Sequence, residues 1–140
     1  MIVLDTNVLS ELMRPQPATR VVAWLDSQNA AAMAVTAITV AEILYGIERM
    51  PDGRRKHAFA TIAADMFEAE FAGRILPFDG LAATHYAEPT AMRMRAGRPI
   101  HMADAQIAAI CLRHNATLAT RNVKDFDMLG VTLINPWEHG

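Results

Sequence analysis

One cysteine among 140 residues rules out a disulfide framework within the chain. Cys111 stands in the apolar stretch AQIAAICL, where a small buried thiol is expected rather than a nucleophile. Long apolar runs are missing too: Asp5, Glu11, Arg14, Arg20, Asp26, Glu42 and Glu48 interrupt the first third, and no stretch nears the ~20 residues of a membrane helix. The opening MIVLDTNVLS lacks a basic leader, a long apolar segment and a small-residue cleavage site, so no secretory signal is read there. With the unpaired thiol, this predicts a soluble protein of the reducing cytoplasm, with no membrane partner. Nor is there a surplus of positive charge. Thirteen Lys and Arg against fifteen Asp and Glu leave a net charge of −2, which excludes a grossly basic nucleic-acid binder but not a local basic patch. Repeats, low-complexity tracts and polar linkers are absent as well.

What remains is an ordinary globular balance, 52% hydrophobic and 20% charged. The length predicts one domain spanning 1–140, able to bury roughly 70% of its unfolded surface. Short β-forming runs stand at Ile2–Leu4, Ala34-Val35, Arg74–Pro77, Ala116–Thr120 and Val131–Ile134. Helical spacing fills the gaps, as in Val21, Val22 and Leu25, in Ile38, Ala41, Ile43, Leu44 and Ile47, and in Ile107, Ile110 and Cys111. Strands alternating with helices predict an α/β fold of three layers, a central parallel sheet of about five strands flanked by helices. Such folds place sites at the carboxyl edge of the sheet. Pro17 suits a helix start, Asp79 a cap, and Gly97-Arg98-Pro99 a break before a helix opening near His101. Pro89 falls inside an expected 79–96 helix and should kink or split it, with Ala87-Glu88 as the joint.

Four acids stand out. Asp5 ends the first strand run, Glu42 lies a turn into the helix after the second, Asp104 opens a later helix, and Asp125 follows the Ala116–Thr120 strand. Each falls at or just beyond the carboxyl edge of the proposed sheet, where all four can converge. Their settings IVLD, TVAEIL and IHMADAQIAA make an acid conspicuous. Gathered carboxylates repel one another unless a cation neutralises them, and an oxygen-only set favours Mg²⁺ or Mn²⁺ over Zn²⁺. Plainer roles also fit: Thr39-Val40-Ala41-Glu42 spells a capping box, Asp5 and Asp104 can serve helix N-termini, and Asp125 can be a solvated turn residue. Thr6 and Asn7, directly after Asp5, are short polar groups suited to orient it or to hold water.

The order DTNVLSE, AITVAEILYG, FAGRILPFD, GRPIHMADAQIAA and ATRNVKDF resembles the PIN-domain nucleases over nearly the whole chain. RPQP, RVVAWLDS, FAGRILPFD and the terminal NPW are especially similar to the FitB-like branch of the VapC-type toxins. The resemblance implies an Mg²⁺- or Mn²⁺-dependent endoribonuclease that uses metal-activated water and leaves 5′-phosphate and 3′-hydroxyl ends. Asp5, Glu42 and Asp104 match the family's three principal acids, with Asp5 and Asp104 as metal ligands and Thr6, Asn7 and Thr120 in support. The fourth position departs: where FitB-like members place an acid after Thr-Arg, this chain has Asn122, and the next acid is Asp125. Either Asn122 is a neutral ligand or water holder, or Asp125 reaches in.

RNA contacts are expected from Arg93, Arg95 and Arg98, near the presumed pocket rim, and less so from Arg49, Arg54, Arg55 and Lys56. His101 is expected to be a cap or surface group. Two Tyr, five Phe and two Trp offer little base stacking, so recognition should rest on RNA shape and backbone. Met92 and Met94 are read as core or interface filler. The resemblance further implies a homodimer and a VapB-like antitoxin, whose tail covers an apolar groove and whose basic side chain blocks the acidic pocket, with DNA contacted only indirectly through it. Two rival readings stand beside the nuclease. A phosphoaspartyl hydrolase would need a second acid where Asn7 stands. A PIN-like binding or regulatory module with reduced or no catalysis is compatible with Asn122.

Overall fold

Val3 and Leu4 face opposite ways, as neighbours in a strand must, and each anchors a different core. The computed structural model describes residues 1–139. It places β1 (Ile2–Leu4), β2 (Met33–Thr36), β3 (Ile75–Leu76), β4 (Thr117–Ala119) and β5 (Thr132–Ile134) in one sheet of order β3-β2-β1-β4-β5. Every pairing is parallel, with Val3 opposite Ala34 on one side and Leu118 on the other. All five strand runs expected from the sequence are therefore strands, and the α/β class holds.

The helices are α1 (Thr6–Leu12), α2 (Thr19–Asp26), α3 (Ala37–Glu48), α4 (Arg54–Asp65), α5 (Gly80–Ala83), α6 (Ala87–Arg95) and α7 (Met102–Arg113). On one face of the sheet Leu4 and Val35 pack with Val8, Leu9, Val21, Trp24, Ile43, Phe67 and Phe71. On the other, Val3 and Leu118 pack with Ile107, Ala108, Cys111, Phe126 and Leu129. Two apolar faces covered by helices explain why the strands read as short continuous apolar runs. The Cys111 thiol is fully buried, and burial pushes it up to about 12, which keeps it protonated.

After β1 the chain builds outward through β2 and β3, then crosses back to lay β4 on the other side of β1. The strand order thus reverses between β1 and β4, and a crevice opens outside their carboxyl ends. Asp5 and Thr120 are the residues that leave those two ends.

Local details correct three expectations. Thr36, not Thr39, caps α3, its hydroxyl accepting the Thr39 N–H at 3.0 Å, so Thr39 and Glu42 form no capping box. The 79–96 segment does break, but at Thr84–Tyr86 rather than at Ala87-Glu88. Pro89 sits in the first turn of α6, where its missing N–H has no helical partner to lose. Met92 and Met94 are exposed, at 41% and 62%, and are not core. As expected, Asp79 caps α5 by accepting the Ala82 N–H at 2.9 Å. Gly97, at φ +72°, ends α6 with paired bonds from Gly97 N to Met94 O and from Arg98 N to Arg93 O.

Candidate active site

Asp5 is the N-cap of α1, and its backbone N–H still belongs to the sheet, donating to Ala119 O at 2.9 Å. Its Oδ1 accepts the Thr6 N–H at 2.9 Å; its Oδ2 accepts from Thr120 Oγ1 at 2.8 Å and Asn7 Nδ2 at 3.1 Å. Thr6, Asn7 and Thr120, the residues expected in support, all hydrogen-bond this carboxylate. Burial raises Asp5 above its ordinary value, with Glu42 adding to the rise and these hydrogen bonds opposing it.

Glu42 projects from the second turn of α3, exposed, and its Oε1 accepts from Thr6 Oγ1 at 2.7 Å. Thr6 Oγ1 also lies 3.0 Å from the Thr39 hydroxyl, which ties α1 to α3 beside the crevice. Asp104 lies in the first turn of α7, half-buried. Burial first, then repulsion from Asp5, Asp125 and Glu42, pushes it up to about 6, with His101 opposing. Asp5, Glu42 and Asp104 line one cleft of about 670 Å³ together with Thr6, Asn7 and Asn122. Asp125 is exposed on the 3₁₀ turn Val123–Phe126 and does not line this cleft, although its charge reaches Asp104. Asn122 holds the lining position, its N–H donating to Thr120 Oγ1 at 3.0 Å.

The donor set is oxygen-only, and mutual repulsion of these acids is relieved by a cation. Among the described residues no three His, Cys, Asp or Glu side chains are placed to enclose an ion by themselves. The chemistry of the oxygen donors is that of a hard ion such as Mg²⁺, which is held by one or two carboxylates and keeps several waters. Asp5 and Asp104 would be the carboxylates to hold such an ion, and Glu42 and Asn122 line the same cleft.

The basic residues are distributed otherwise than expected. Arg93 is buried, its Nε donating to Arg98 O at 2.8 Å and its Nη1 to Asp125 O at 2.9 Å and Asp127 O at 2.8 Å. A guanidinium committed to three carbonyls has no access to RNA, and its assignment as an RNA contact is withdrawn. Arg95 and Arg98 are exposed but outside the cleft lining, and Arg98 pairs with Asp127 at 3.1 Å. His101 is exposed as the residue before α7 and makes no side-chain capping bond. Arg14, Arg55 and Arg121 line the cleft instead, with Trp137. Of these, Arg55 belongs to the basic cluster seen in the sequence; Arg121, directly after Thr120, and Trp137, the last residue of the NPW motif, carry the family resemblance but were not expected at the site.

Fold and site together define an α/β protein with acids converging at the switch point of a parallel sheet. The chain belongs to the PIN-domain family, whose model matches residues 2–130. Within that family it is 42% identical to VapC ribonuclease Y4jK of Sinorhizobium fredii over 138 residues, 99% of each chain. It is 43% identical to Toxin FitB of Neisseria gonorrhoeae over 137 residues, 98% of this chain and 99% of FitB. The structure of FitAB bound to an IR36 DNA fragment superposes with a TM-score of 0.89 at 42% identity, covering 100% of this chain and 98% of that one. The resemblance to VapC-type and FitB-like proteins is borne out.

Proposed function

We propose that this protein is an endoribonuclease and the toxin of a type II toxin–antitoxin pair, hydrolysing RNA phosphodiesters with Mg²⁺, replaceable by Mn²⁺. The observation that carries this reading is the convergence of Asp5, Glu42 and Asp104, from three separate elements, on one cleft at the carboxyl edge of the sheet. When bound, the ion supplies Lewis-acid chemistry, activating water and neutralising charge on the phosphate. Asp5 is oriented for that task by Thr120, Asn7 and the Thr6 N–H, and its remaining lone pairs are left for the cleft. Asp104, near 6, is ionised at neutral pH yet takes up a proton readily. Glu42 faces both from α3, and Asn122 supplies a neutral wall in the fourth position while Asp125 adds charge from outside.

An apolar groove of about 710 Å³ continues the cleft, lined by Leu12, Pro15, Ala58 and Ile62 and sharing Met13, Arg14, Arg55 and Phe59 with it. A VapB-like antitoxin tail lying there would bring a basic side chain to the acids, and any DNA contact would run through the antitoxin. Exposed Leu81, Met92 and Met94 on α5 and α6 give a homodimer an apolar surface to bury. No helix among the described residues is long and apolar enough to cross a membrane. A toxin whose substrate is cellular RNA would act in the cytoplasm.

Purified protein should cleave RNA with Mg²⁺ or Mn²⁺ and lose that activity in chelator and in Asp5→Asn. RNA bound but uncut under both ions would favour a PIN-like binding module instead. Growth arrest on expression, relieved by the neighbouring gene, tests the toxin role separately.

A further inference from the structure

The Arg121 guanidinium carbon lies over the Trp137 ring, 4.9 Å from its centroid, and both residues line the acidic cleft. The pair is built from both sides. Arg121 N donates to Asn7 Oδ1 at 3.1 Å, and Asn7 Nδ2 in turn donates to Asp5 Oδ2 at 3.1 Å, so a single side chain links the Arg121 backbone to the catalytic carboxylate. Trp137 is pinned at both backbone groups: its N–H donates to Asn135 Oδ1 at 3.0 Å, and its carbonyl accepts from Arg20 Nη1 at 3.3 Å. The indole is half-buried against the core that holds Leu4 and Val35.

A guanidinium over an aromatic ring is held by the ring quadrupole, while the N–H groups on its edge can still donate to a ligand. Among the described residues those edge groups make no hydrogen bond and no ion pair; Glu11, the acid in Coulombic reach, is already engaged by the Ala18 N–H at 2.8 Å and by Arg14 at 3.2 Å. An unpaired arginine held over a ring at the rim of a carboxylate cluster is matched to a group that is anionic, able to take two parallel N–H donors and drawn to the same cation.

We propose that Arg121 grips a backbone phosphate of the RNA adjacent to the bond being cut, and that Trp137 is the positioning residue that holds the guanidinium in place. This rests on the ribonuclease reading above. It also fits a chain of net charge −2: RNA would be held by a few arginines lining the cleft, Arg121 the one tied to Asp5 through Asn7, rather than by a basic face.

The test measures binding of a labelled oligoribonucleotide of mixed sequence in chelator, and its cleavage with Mg²⁺. Arg121→Ala should weaken binding roughly ten-fold and reduce the salt dependence by about one phosphate contact, raising KM far more than it lowers kcat. Trp137→Ala should reproduce that loss, Trp137→Phe should largely restore it, and the double variant should lose no more than Arg121→Ala alone. Folding of each variant is checked by its melting temperature. Wild-type binding with an unchanged affinity and salt slope in Arg121→Ala overturns the proposal and leaves the ribonuclease intact, as does an Arg121→Ala defect confined to binding an antitoxin peptide. Wild-type protein that neither binds nor cuts RNA overturns both.

Discussion

The Thr120 hydroxyl donates to Asp5 Oδ2 across 2.8 Å, joining residues 115 apart in sequence at the ends of neighbouring strands. That hydroxyl also accepts from Asn7 Nδ2 at 3.2 Å and Asn122 N at 3.0 Å, so both lone pairs are used and its one proton is directed at the carboxylate. Thr120→Val keeps the shape and removes the donor. Cleavage and divalent-ion affinity should fall about ten-fold, with a stability loss of about 1–2 kcal/mol. Thr120→Ser should recover most of both. Calorimetric titration with Mn²⁺ and thermal unfolding read the two effects, and a Val variant with wild-type ion affinity would remove Thr120 from the site.

Glu42 gives a cleaner separation of stability from chemistry. It is exposed, caps nothing, and its one side-chain bond is from Thr6 Oγ1, which a Gln oxygen can also accept. Glu42→Gln should therefore unfold within about 0.5 kcal/mol of wild type. Loss of a full negative charge from the cleft should lower cleavage at least ~10-fold. Denaturant titration and single-turnover cleavage decide it; equal cleavage would leave Glu42 as a partner of Thr6 alone.

The strands and the acids were legible because they are local signals: apolar runs such as Ile2–Leu4 end in an acid, and an acid in IVLD or IHMADAQIAA has no solvent-facing reason to be there. Neighbours in space but not in sequence were not legible. RMRAGR reads as a basic run open to RNA at the pocket rim, yet Arg93 is drawn inward by the carbonyls of Asp125 and Asp127, which reach it only through the tertiary fold. The opposite error hid Arg121, a single cation whose meaning depends on Trp137 arriving beneath it after β5. Asp125 followed a strand as expected, but the 3₁₀ turn carries it out of the lining and leaves Asn122 there.

Arg93 closes the carboxyl end of α6 onto the loop before β5, and its removal takes the donor from the carbonyls of Arg98, Asp125 and Asp127 and empties a buried site. Arg93→Ala should destabilise the protein by about 2–4 kcal/mol. Arg95→Ala, two residues on and exposed, should change stability by less than about 0.5 kcal/mol. RNA affinity of the surviving folded Arg93→Ala protein, measured well below its melting point, should match wild type. A stable Arg93→Ala variant with weakened RNA binding would restore the surface role read from the sequence.

Asp104 predicts the sign of the pH dependence in chelator. Folded, it takes up its proton near 6; unfolded, near 3.8. Between those values the native state holds more protons, so this group makes stability fall as pH rises. Its favourable contribution is complete below the lower value and gone above the upper one. Asn cannot ionise, so in Asp104→Asn this slope is missing, and the melting temperature of the variant minus that of wild type should grow from pH 4 to pH 7, reaching a few degrees. Saturating Mg²⁺ should reverse the order at pH 7, because the ion stabilises the ionised wild-type carboxylate and has less to bind in the variant. A difference that is flat with pH would mean that Asp104 is neither desolvated nor repelled by Asp5, Asp125 and Glu42, and the cleft would lose its electrostatic reason to take up a cation.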